Sequence, residues 1–294
     1  MERFHLVALL TALIHLIGTL VYVARFSGVR TKRLATAFSL YQVISLVAMT
    51  ANMVQAPLLS LTVEQAISTG RIYQQSYLSD LEHHMRLIML AATGGTALAG
   101  LFGPFFLFLF SRTIFLFERI GSLPAMILSL LSPFNFFQVM RQLCLAMAYL
   151  IKSYSRRFTL LRFTLLSFTS PAARFKQCYF PVKLFVINIL VVGIWTTGVL
   201  SSLYAGALTP AYRTTATELA GIVNLIAVFL DTFLVDPVTA VVTDNALQGV
   251  RPESEILHLT FWLILSRLLG TLFAQLLFLP AVQLVKYGTL LLAQ

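Results

Sequence analysis

Long apolar stretches separated by short polar segments run along most of this chain. A helix needs roughly 20 mostly apolar residues to cross a bilayer. Six stretches qualify and are predicted to be transmembrane helices: Phe4–Ala24, Leu34–Leu59, Leu87–Phe110, Leu184–Leu208, Thr217–Val235 and Ile256–Leu279. The first is longer than the core of a secretory signal, and no small-x-small cleavage site precedes Arg25, so we interpret it as a span.

The same order of residues occurs twice in the chain. An arginine stands 24 residues before a proline, and an acid follows that proline by seven, at Arg33, Pro57 and Glu64 and again at Arg213, Pro237 and Asp244. Further matches pair Thr19 and Gly28 with Thr197 and Gly206, and GTALAGLF (Gly95–Phe102) with GTLFAQLL (Gly270–Leu277). We therefore predict two three-helix repeats, at 1–110 and 183–294, separated by a segment at 111–182.

Composition and charge place the chain in a membrane. Hydrophobic residues make up 58% and charged residues 11%, whereas soluble domains average about 25% charged residues. The net charge is +10, and its cations crowd the first loop and the 111–182 segment. Cytoplasmic loops carry such an excess, so both termini are predicted to lie outside. We expect 111–182 to form basic interfacial helices on anionic phospholipids, which explains the charge without a nucleic-acid partner.

The number of spans determines how the repeats are oriented. If the 111–182 segment stays on one side, three spans per repeat force the second copy into the bilayer upside down. A single crossing at 123–150 would instead make the copies parallel, but Pro124, Pro133, Asn135 and Arg141 argue against it. Inverted repeats place ligand sites near the midplane between the copies, so we expect a site at that seam.

Two lines of small residues recur at a spacing of four on the third and sixth spans. They are Ala91, Gly95, Ala99 and Gly103, and then Ser266, Gly270 and Ala274. Such lines let helix backbones approach closely in lipid. We expect these two spans to pack near the axis between the repeats, where contact with each other is one arrangement. The alternative is tight packing without a direct role in transport.

A polar line on the sixth span contains Arg267, Thr271 and Gln275. An arginine inside an apolar span costs roughly 2.5–3.5 kcal/mol on insertion scales, so Arg267 has to face protein, a partner or a wet cavity. One interpretation is an anion site for phosphate or pyrophosphate, whose oxygens a guanidinium binds bidentately. The other is a buried ion pair with Asp231 of the fifth span.

Polar residues on the second and fifth spans allow two interpretations each. Asn52 and Gln55 share a helix face and either line a cavity or cross-link helices. Asp236, directly before Pro237, either caps a break where the fifth span unwinds or lies at an ordinary helix end.

Other chemistry finds little support in the sequence. His83 and His84 follow Asp80 and Glu82, but no second cluster has ligand spacing, so a solvated loop without metal is predicted. The sequence contains no nucleophile elbow, no glycine-rich phosphate loop and no H-E-x-x-H motif, so we expect no enzyme activity and no cofactor. Cys144 and Cys178 lie in the basic segment, whose cytoplasmic assignment argues against a disulfide.

Several segments resemble the Amj family of bacterial alternate flippases for lipid II. They are GVRTKR (Gly28–Arg33), NMVQAPLL (Asn52–Leu59), VDP (Val235–Pro237), TDNALQGVRPESE (Thr243–Glu255) and SRLLGTLFAQLLFLP (Ser266–Pro280). The resemblance covers both repeats. It implies movement of undecaprenyl-pyrophosphate-linked disaccharide-pentapeptide to the outer leaflet of the bacterial cytoplasmic membrane.

The resemblance and the polar positions together give the expected site. Residues expected to bind the substrate are Arg267, Thr271, Gln275, Asn52, Gln55, Arg30 and Arg33. Residues expected to bind a coupling ion or to form ion pairs are Asp231, Asp236 and Asp244. The expected mechanism is alternating access, in which the two copies exchange inside-open and outside-open shapes.

Two other classes of function remain open from the sequence. A membrane-embedded enzyme acting on polyprenyl phosphate or phospholipid would need an acid–base pair or metal ligands clustered at one membrane face, and the acids here are scattered. A structural protein of the envelope would not need Arg267 within the hydrocarbon.

Overall fold

The chain folds into long helices. The computed structural model describes residues 2–131, 141 and 181–294, and in these residues every regular element is a helix. The α-helices are α1 (Glu2–Thr31), α2 (Leu34–Ser68), α3 (Gln75–Leu101), α4 (Gly103–Ile120), α5 (Leu123–Leu131), α6 (Val182–Leu208), α7 (Arg213–Glu218), α8 (Ala220–Leu230), α9 (Asp236–Leu247) and α10 (Glu253–Leu292). Most of the expected interfacial segment, with Cys144 and Cys178, lies outside the described residues.

The lengths and hydropathy of these helices confirm a polytopic membrane protein. Five helical stretches of the described chain are long and apolar enough to cross a bilayer: Arg3–Thr31, Leu34–Ser68, Val182–Leu208, Pro210–Leu247 and Glu253–Leu292. The bent pair α3 and α4 makes a sixth candidate when it is taken as one span.

The third span differs from its prediction in two ways. A straight helix over Leu87–Phe110 is wrong, because α3 ends at Leu101 and α4 leaves it at an angle of 66°. The bend coincides with Gly103 and Pro104 at the start of α4, since proline lacks a backbone N–H and favours the first turn of a helix. Residues 75–86, predicted as a loop, form the first turns of α3.

The first span is longer than its apolar stretch. It does not stop at Ala24, because the helix continues through Arg25 to Thr31, and the intervening Phe26 and Val29 are buried. Lys32 then adopts a left-handed conformation, with φ of 57°. The Arg33 N–H donates to the Gly28 carbonyl and the Lys32 N–H to the Val29 carbonyl, at 2.8 and 3.0 Å, which is a Schellman ending.

The second and fifth spans also continue past their predicted ends. Helix α2 runs through Pro57 to Ser68, since membrane helices tolerate an internal proline. The fifth span does not end at Val235. A π-helical turn, Asp231–Val235, connects α8 directly to α9, so the span continues to Leu247. Pro237 follows this turn directly, and a wider turn relieves the clash of its ring with the preceding carbonyl groups. Asp236 therefore lies inside the span, where α9 begins without a side-chain cap.

Each half is built around its own first helix. Helix α1 packs against α2 and α3, and α6 packs against α8 and α10. The small-residue lines form these contacts: Gly95 of α3 lies against the backbone of Ala12, and a Cβ on Gly270 of α10 would lie 2.9 Å from the Ile189 carbonyl oxygen. Helices α3 and α10 do contact each other, but Gly95 and Gly270 face α1 and α6.

The glycines near the ends of α1 and α6 have corresponding neighbours. A Cβ on Gly28 would lie 2.9 Å from Leu34 and 3.0 Å from Ala37, at the start of α2. A Cβ on Gly206 would lie 3.2 Å from Arg213 and 3.4 Å from Thr217, at the start of the fifth span. In both halves a glycine therefore allows the first helix to pack closely against the beginning of the second.

Helices of the two halves run antiparallel to one another. The Tyr22 hydroxyl donates to Asn188 at 3.4 Å, while Val7 and Leu200 share a buried cluster farther along α1 and α6. Arg86 of α3 hydrogen-bonds Gln275 of α10, and Gly100 lies against Ile264.

The two ends of this bundle contain different loops and different charged residues. One end, called the terminal end, holds the start of α1, the loops at 69–74 and 209–212, and the end of α10. The opposite end, called the basic end, holds the loops at 32–33 and 248–252, with cations at Arg30, Lys32, Arg33 and Arg251.

Two adjacent glycines test the packing of α3 on α1. Gly95→Ala places a methyl group against the backbone of Ala12, so the helices have to move apart, and we expect a loss of about 1–3 kcal/mol in the free energy of unfolding. Gly94→Ala is the matched control, because a Cβ there meets no atom within 4 Å. Thermal unfolding of the purified protein in detergent measures both. Equal midpoints for the two variants would contradict the close contact.

Candidate functional site

A cavity of about 510 Å³ lies in the middle of the bundle, where the two halves meet. Its walls come from α1, α2, α6, the α8–α9 stretch and one residue of α10, Arg267. The cavity lies within the helical spans. Polar and charged lining residues are Thr11, His15, Tyr22, Arg25, Tyr41, Ser45, Asn52, Gln55, Asn188, Thr196, Asn224, Asp231, Asp236, Thr239 and Arg267.

Helical periodicity explains why these side chains meet. Steps of three and four residues keep side chains on one helix face. On α2 such steps bring Tyr41, Ser45, Ala48, Asn52 and Gln55 to the cavity.

Arg267 enters the cavity from α10. Its Nε atom is buried and has no hydrogen-bond partner among the described residues. Gly18 of α1 makes room for the guanidinium, since a Cβ at position 18 would lie 2.5 Å from Nη2 of Arg267. No ion pair joins Arg267 to Asp231 in the part of the chain that the structure describes, although both line the cavity. The ion pair between them stays a prediction.

A second arginine, Arg25, faces the same cavity from α1. Its side chain is only 12% exposed, and one nitrogen lies 3.8 Å from the Asp236 carboxylate. Its Nη1 atom is buried without a hydrogen-bond partner in the described chain. Asp236 thus holds Arg25 from one side and leaves donor capacity on the other.

Unpartnered polar atoms concentrate around this cavity. Six buried side-chain atoms lack a hydrogen-bond partner within residues 2–131 and 181–294. Five belong to the lining: His15 Nδ1, Arg25 Nη1, Gln55 Oε1, Asn224 Oδ1 and Arg267 Nε. Buried polar groups are normally paired, so this concentration makes the cavity the candidate site for a polar ligand.

The formal charges of the lining balance, since Arg25 and Arg267 face Asp231 and Asp236. The affinity of the cavity for an anion therefore depends on where each arginine and each aspartate lies, since their charges sum to zero. Arg267 has no carboxylate partner in the described chain, whereas Arg25 is shared with Asp236. Asp231 lies on the π-helical turn, a feature that is frequent at functional sites.

The structure brings five of the expected residues together and leaves five apart. Arg267, Asn52, Gln55, Asp231 and Asp236 line the cavity, whereas Thr271, Gln275, Arg30, Arg33 and Asp244 do not. On α10 a step of four residues overshoots a full turn by about 40°, so the polar line rotates away from the cavity. The Thr271 hydroxyl donates to the Leu268 carbonyl, and the Gln275 amide donates to the Arg86 carbonyl of α3, at 2.8 and 2.9 Å.

Three important residues of the cavity are not among the predicted site residues. Arg25 lies just past the predicted end of the first span, because the apolar stretch stops before it. His15 is a polar residue within that apolar stretch, and its Nδ1 atom has no partner in the described chain. Asn188 was not singled out, although its amide donates to Ser266 at 2.7 Å and it accepts from Tyr22. Its polarity within α6 was the available signal.

The cavity opens sideways between α2 and the α8–α9 stretch. Lining residues on these helices are exposed: Met49 is 57% and Val228 40% accessible, and the Asp236 side chain 58%. Among the described residues these two stretches form no extended packing interface. Asn52, which is also exposed, would be costly against lipid, so we expect the opening to hold water.

Cysteine labelling tests whether this opening holds water. In a Cys144→Ser, Cys178→Ser background, Asn52→Cys should react with a hydrophilic thiosulfonate, because thiols react as thiolates in water. The adjacent Met53→Cys is the control: Met53 is 72% exposed but lies on the apolar side of α2 and does not line the cavity. We expect Asn52→Cys to react at least about tenfold faster; equal rates would mean that the cavity is dry.

The chain is similar to known proteins over nearly its whole length. The profile of the Amj family, described as Alternate to MurJ, matches residues 10–289. The Lipid II flippase Amj of Bacillus subtilis (strain 168) is 32% identical over 278 residues, which cover 94% of this chain and 93% of that protein. No solved structure matches this chain.

Proposed function

The chain belongs to the Amj family, and we propose that it flips lipid II from the cytoplasmic to the outer leaflet of the bacterial cytoplasmic membrane. The observation that carries this proposal is the cavity between the two halves, in which two arginines keep donor atoms without partners in the described chain. Lipid II joins a bulky polar head group to a polyprenyl chain through pyrophosphate. Its passage requires a polar compartment within the bilayer and cations for that pyrophosphate.

We propose that residues 1–110 and 183–294 form inverted repeats. Three sets of contacts support this. Gly95 and Gly270 pack against the first helix of their own half, Gly28 and Gly206 against the beginning of the second helix, and helices of opposite halves are antiparallel. Inverted repeats make two conformations of similar energy available, because either half can adopt the packing of the other. This symmetry suits alternating access.

The basic end is assigned to the cytoplasm by its cations. Arg30, Lys32, Arg33 and Arg251 lie there, and positive residues favour the cytoplasmic side. Both termini are then outside. Helix α4, which bends away from α3 and carries Arg112 and Arg119, fits an interfacial position against anionic phospholipids.

Arg267 is the primary contact for the pyrophosphate in this proposal. Its guanidinium presents several donors in one plane and can bind two phosphate oxygens at once. Arg25 adds a second cation, and the amides of Asn52, Gln55 and Asn224 suit hydroxyl groups of the neighbouring sugar. A volume of about 510 Å³ is typical of small-molecule pockets, so the rest of the head group extends beyond the cavity. Asp231, with no ion pair in the described chain, is the candidate coupling residue.

The lateral opening provides the route for the polyprenyl chain. Exposed apolar side chains flank it on both sides, Met53 and Val54 on α2 and Leu225 and Phe229 on α8. A tail that remains among such side chains and the lipid never enters water. Head group and tail therefore travel in parallel, one through the cavity and the other through the bilayer.

Substitution of Arg267 tests the proposed function. Arg267→Ala should abolish flipping while the protein remains inserted and abundant, because the pyrophosphate loses its bidentate partner. Arg267→Lys should retain partial activity, since a lysine keeps the charge without the planar fork. Lys286→Ala, on the same helix and outside the cavity, is the control. A lipid II accessibility assay in cells depleted of their other flippase measures flipping.

The outcomes of that assay separate the candidate functions. A normal rate for Arg267→Ala would remove the anion site. Chemical alteration of lipid II by the purified wild-type protein would favour the membrane-embedded enzyme over the flippase.

A substitution that leaves Arg267 in place provides an independent test. Gly18→Ala puts a methyl group 2.5 Å from Nη2 of Arg267, so the flexible side chain has to shift within the cavity. We expect roughly a tenfold lower flipping rate at unchanged stability, since a displacement of about 1 Å can cost far more at a site that orients its ligand. Gly221→Ala, where a Cβ meets no atom within 4 Å, should keep the wild-type rate. Unchanged flipping in Gly18→Ala would argue against the position assigned to the guanidinium.

A further inference from the structure

An ion pair joins the two halves at the terminal end. One nitrogen of Arg213, at the start of α7, lies 3.5 Å from the Glu64 carboxylate near the end of α2. Beneath it, Leu59 and Val63 of α2 share a buried cluster with Ala216 of α7. The ion pair therefore connects the second helices of the two halves on this side of the cavity.

The sequence repeat places an equivalent pair at the basic end. Arg33 and Arg213 each stand 24 residues before the proline of their repeat, and Glu64 and Asp244 each follow that proline by seven. A symmetric structure would therefore pair Arg33 with Asp244. Arg33 instead forms an ion pair with Glu118 of α4. Asp244 is exposed and takes part in none of the ion pairs among the described residues.

We propose that Arg33 and Asp244 form the inner gate of the transporter and that Glu64 and Arg213 form its outer gate. This inference rests on the alternating access of the proposed function. The present conformation has the outer gate closed and the inner gate open, with Arg33 held aside by Glu118. In the opposite conformation Glu64 and Arg213 separate, while Arg33 leaves Glu118 and binds Asp244.

The exchange changes the number of ion pairs that Arg33 and Arg213 form from two to one. Each conformation contains one pair between the halves, and all four present partners are partly exposed. Partly exposed ion pairs contribute little to stability, so neither conformation is trapped. Arg33 and Asp244 do not line the cavity. The inference therefore replaces the expected substrate contact of Arg33 and the expected ion-coupling role of Asp244.

Two cysteine pairs report the two gates separately. In membranes containing the Cys144→Ser, Cys178→Ser protein, one variant carries Glu64→Cys and Arg213→Cys, another Arg33→Cys and Asp244→Cys, and a third carries both pairs. A short bifunctional thiol reagent should link either pair alone. In the third variant each molecule should carry one link or the other, because the gates close alternately.

Charge neutralisation makes the coupling between the gates measurable. Glu64→Gln, added to the Arg33→Cys, Asp244→Cys variant, weakens the outer gate and should raise the linked fraction by about two- to fivefold, the range expected for a partly exposed ion pair. Glu118→Gln in the same variant is the matched control. It removes a carboxylate that no longer has an arginine to hold, so the linked fraction should stay the same.

Three results would overturn this gating scheme. They are the absence of any link between positions 33 and 244, both links within one molecule, or no response to Glu64→Gln. The flipping assay keeps this test distinct from that of the proposed function. Links that alternate in a protein that does not flip lipid II would preserve the gates and reject the cargo. Normal flipping without a link between positions 33 and 244 would reject the gates and preserve the proposed cargo.

Discussion

A guanidinium inside hydrocarbon has to be surrounded by protein or water, and this requirement governs the arrangement of the helices. Arg25 and Arg267 come from different halves and both lie deep within apolar helices. Neither side chain can face lipid without a cost of several kcal/mol. The helices that carry polar stripes therefore turn those stripes toward each other, and a cavity forms where the halves meet.

Close backbone contacts make such a cavity compatible with a stable bundle. Lipid tails are as apolar as leucine, so helices in a bilayer associate through tight packing more than through hydrophobic burial. Gly95 and Gly270 allow that packing, each against the first helix of its own half. The seam between the halves contains fewer such contacts and more polar atoms. Strong packing within each half and weaker packing between them allow the halves to move as units.

A ligand in the cavity would change the surroundings of the unpartnered donors. A buried donor without an acceptor destabilises the protein by about 1–3 kcal/mol. An anion that accepts from Arg25 and Arg267 removes this penalty, and it does so only in conformations that hold both arginines around it. A ligand shifts a conformational equilibrium by its difference in affinity for the two states, so these donors connect occupancy of the cavity to its shape.

The helices and part of the cavity lining could be predicted from the sequence, and the differences have physical causes. Hydropathy identifies where a helix is apolar and does not identify where it ends. The predicted first span therefore ends at Ala24, and Arg25 falls outside it, although α1 continues to Thr31. The bend after Leu101 was marked by Gly103 and Pro104, but an apolar window runs through both. Arg267 and Asn52 were found because a polar residue inside a span requires an explanation. Thr271 and Gln275 were misplaced, because residues four apart drift around a helix with distance, and only packing shows where their face turns.

The sideways opening between α2 and the α8–α9 stretch has a consequence for selectivity. A hydrocarbon chain that stays in the bilayer throughout undergoes no transfer between phases, so each additional isoprene unit leaves the energetics of the step almost unchanged. Discrimination among lipids then has to come from the polar moiety alone. The transporter would be indifferent to the length of the carrier and demanding about what the carrier bears.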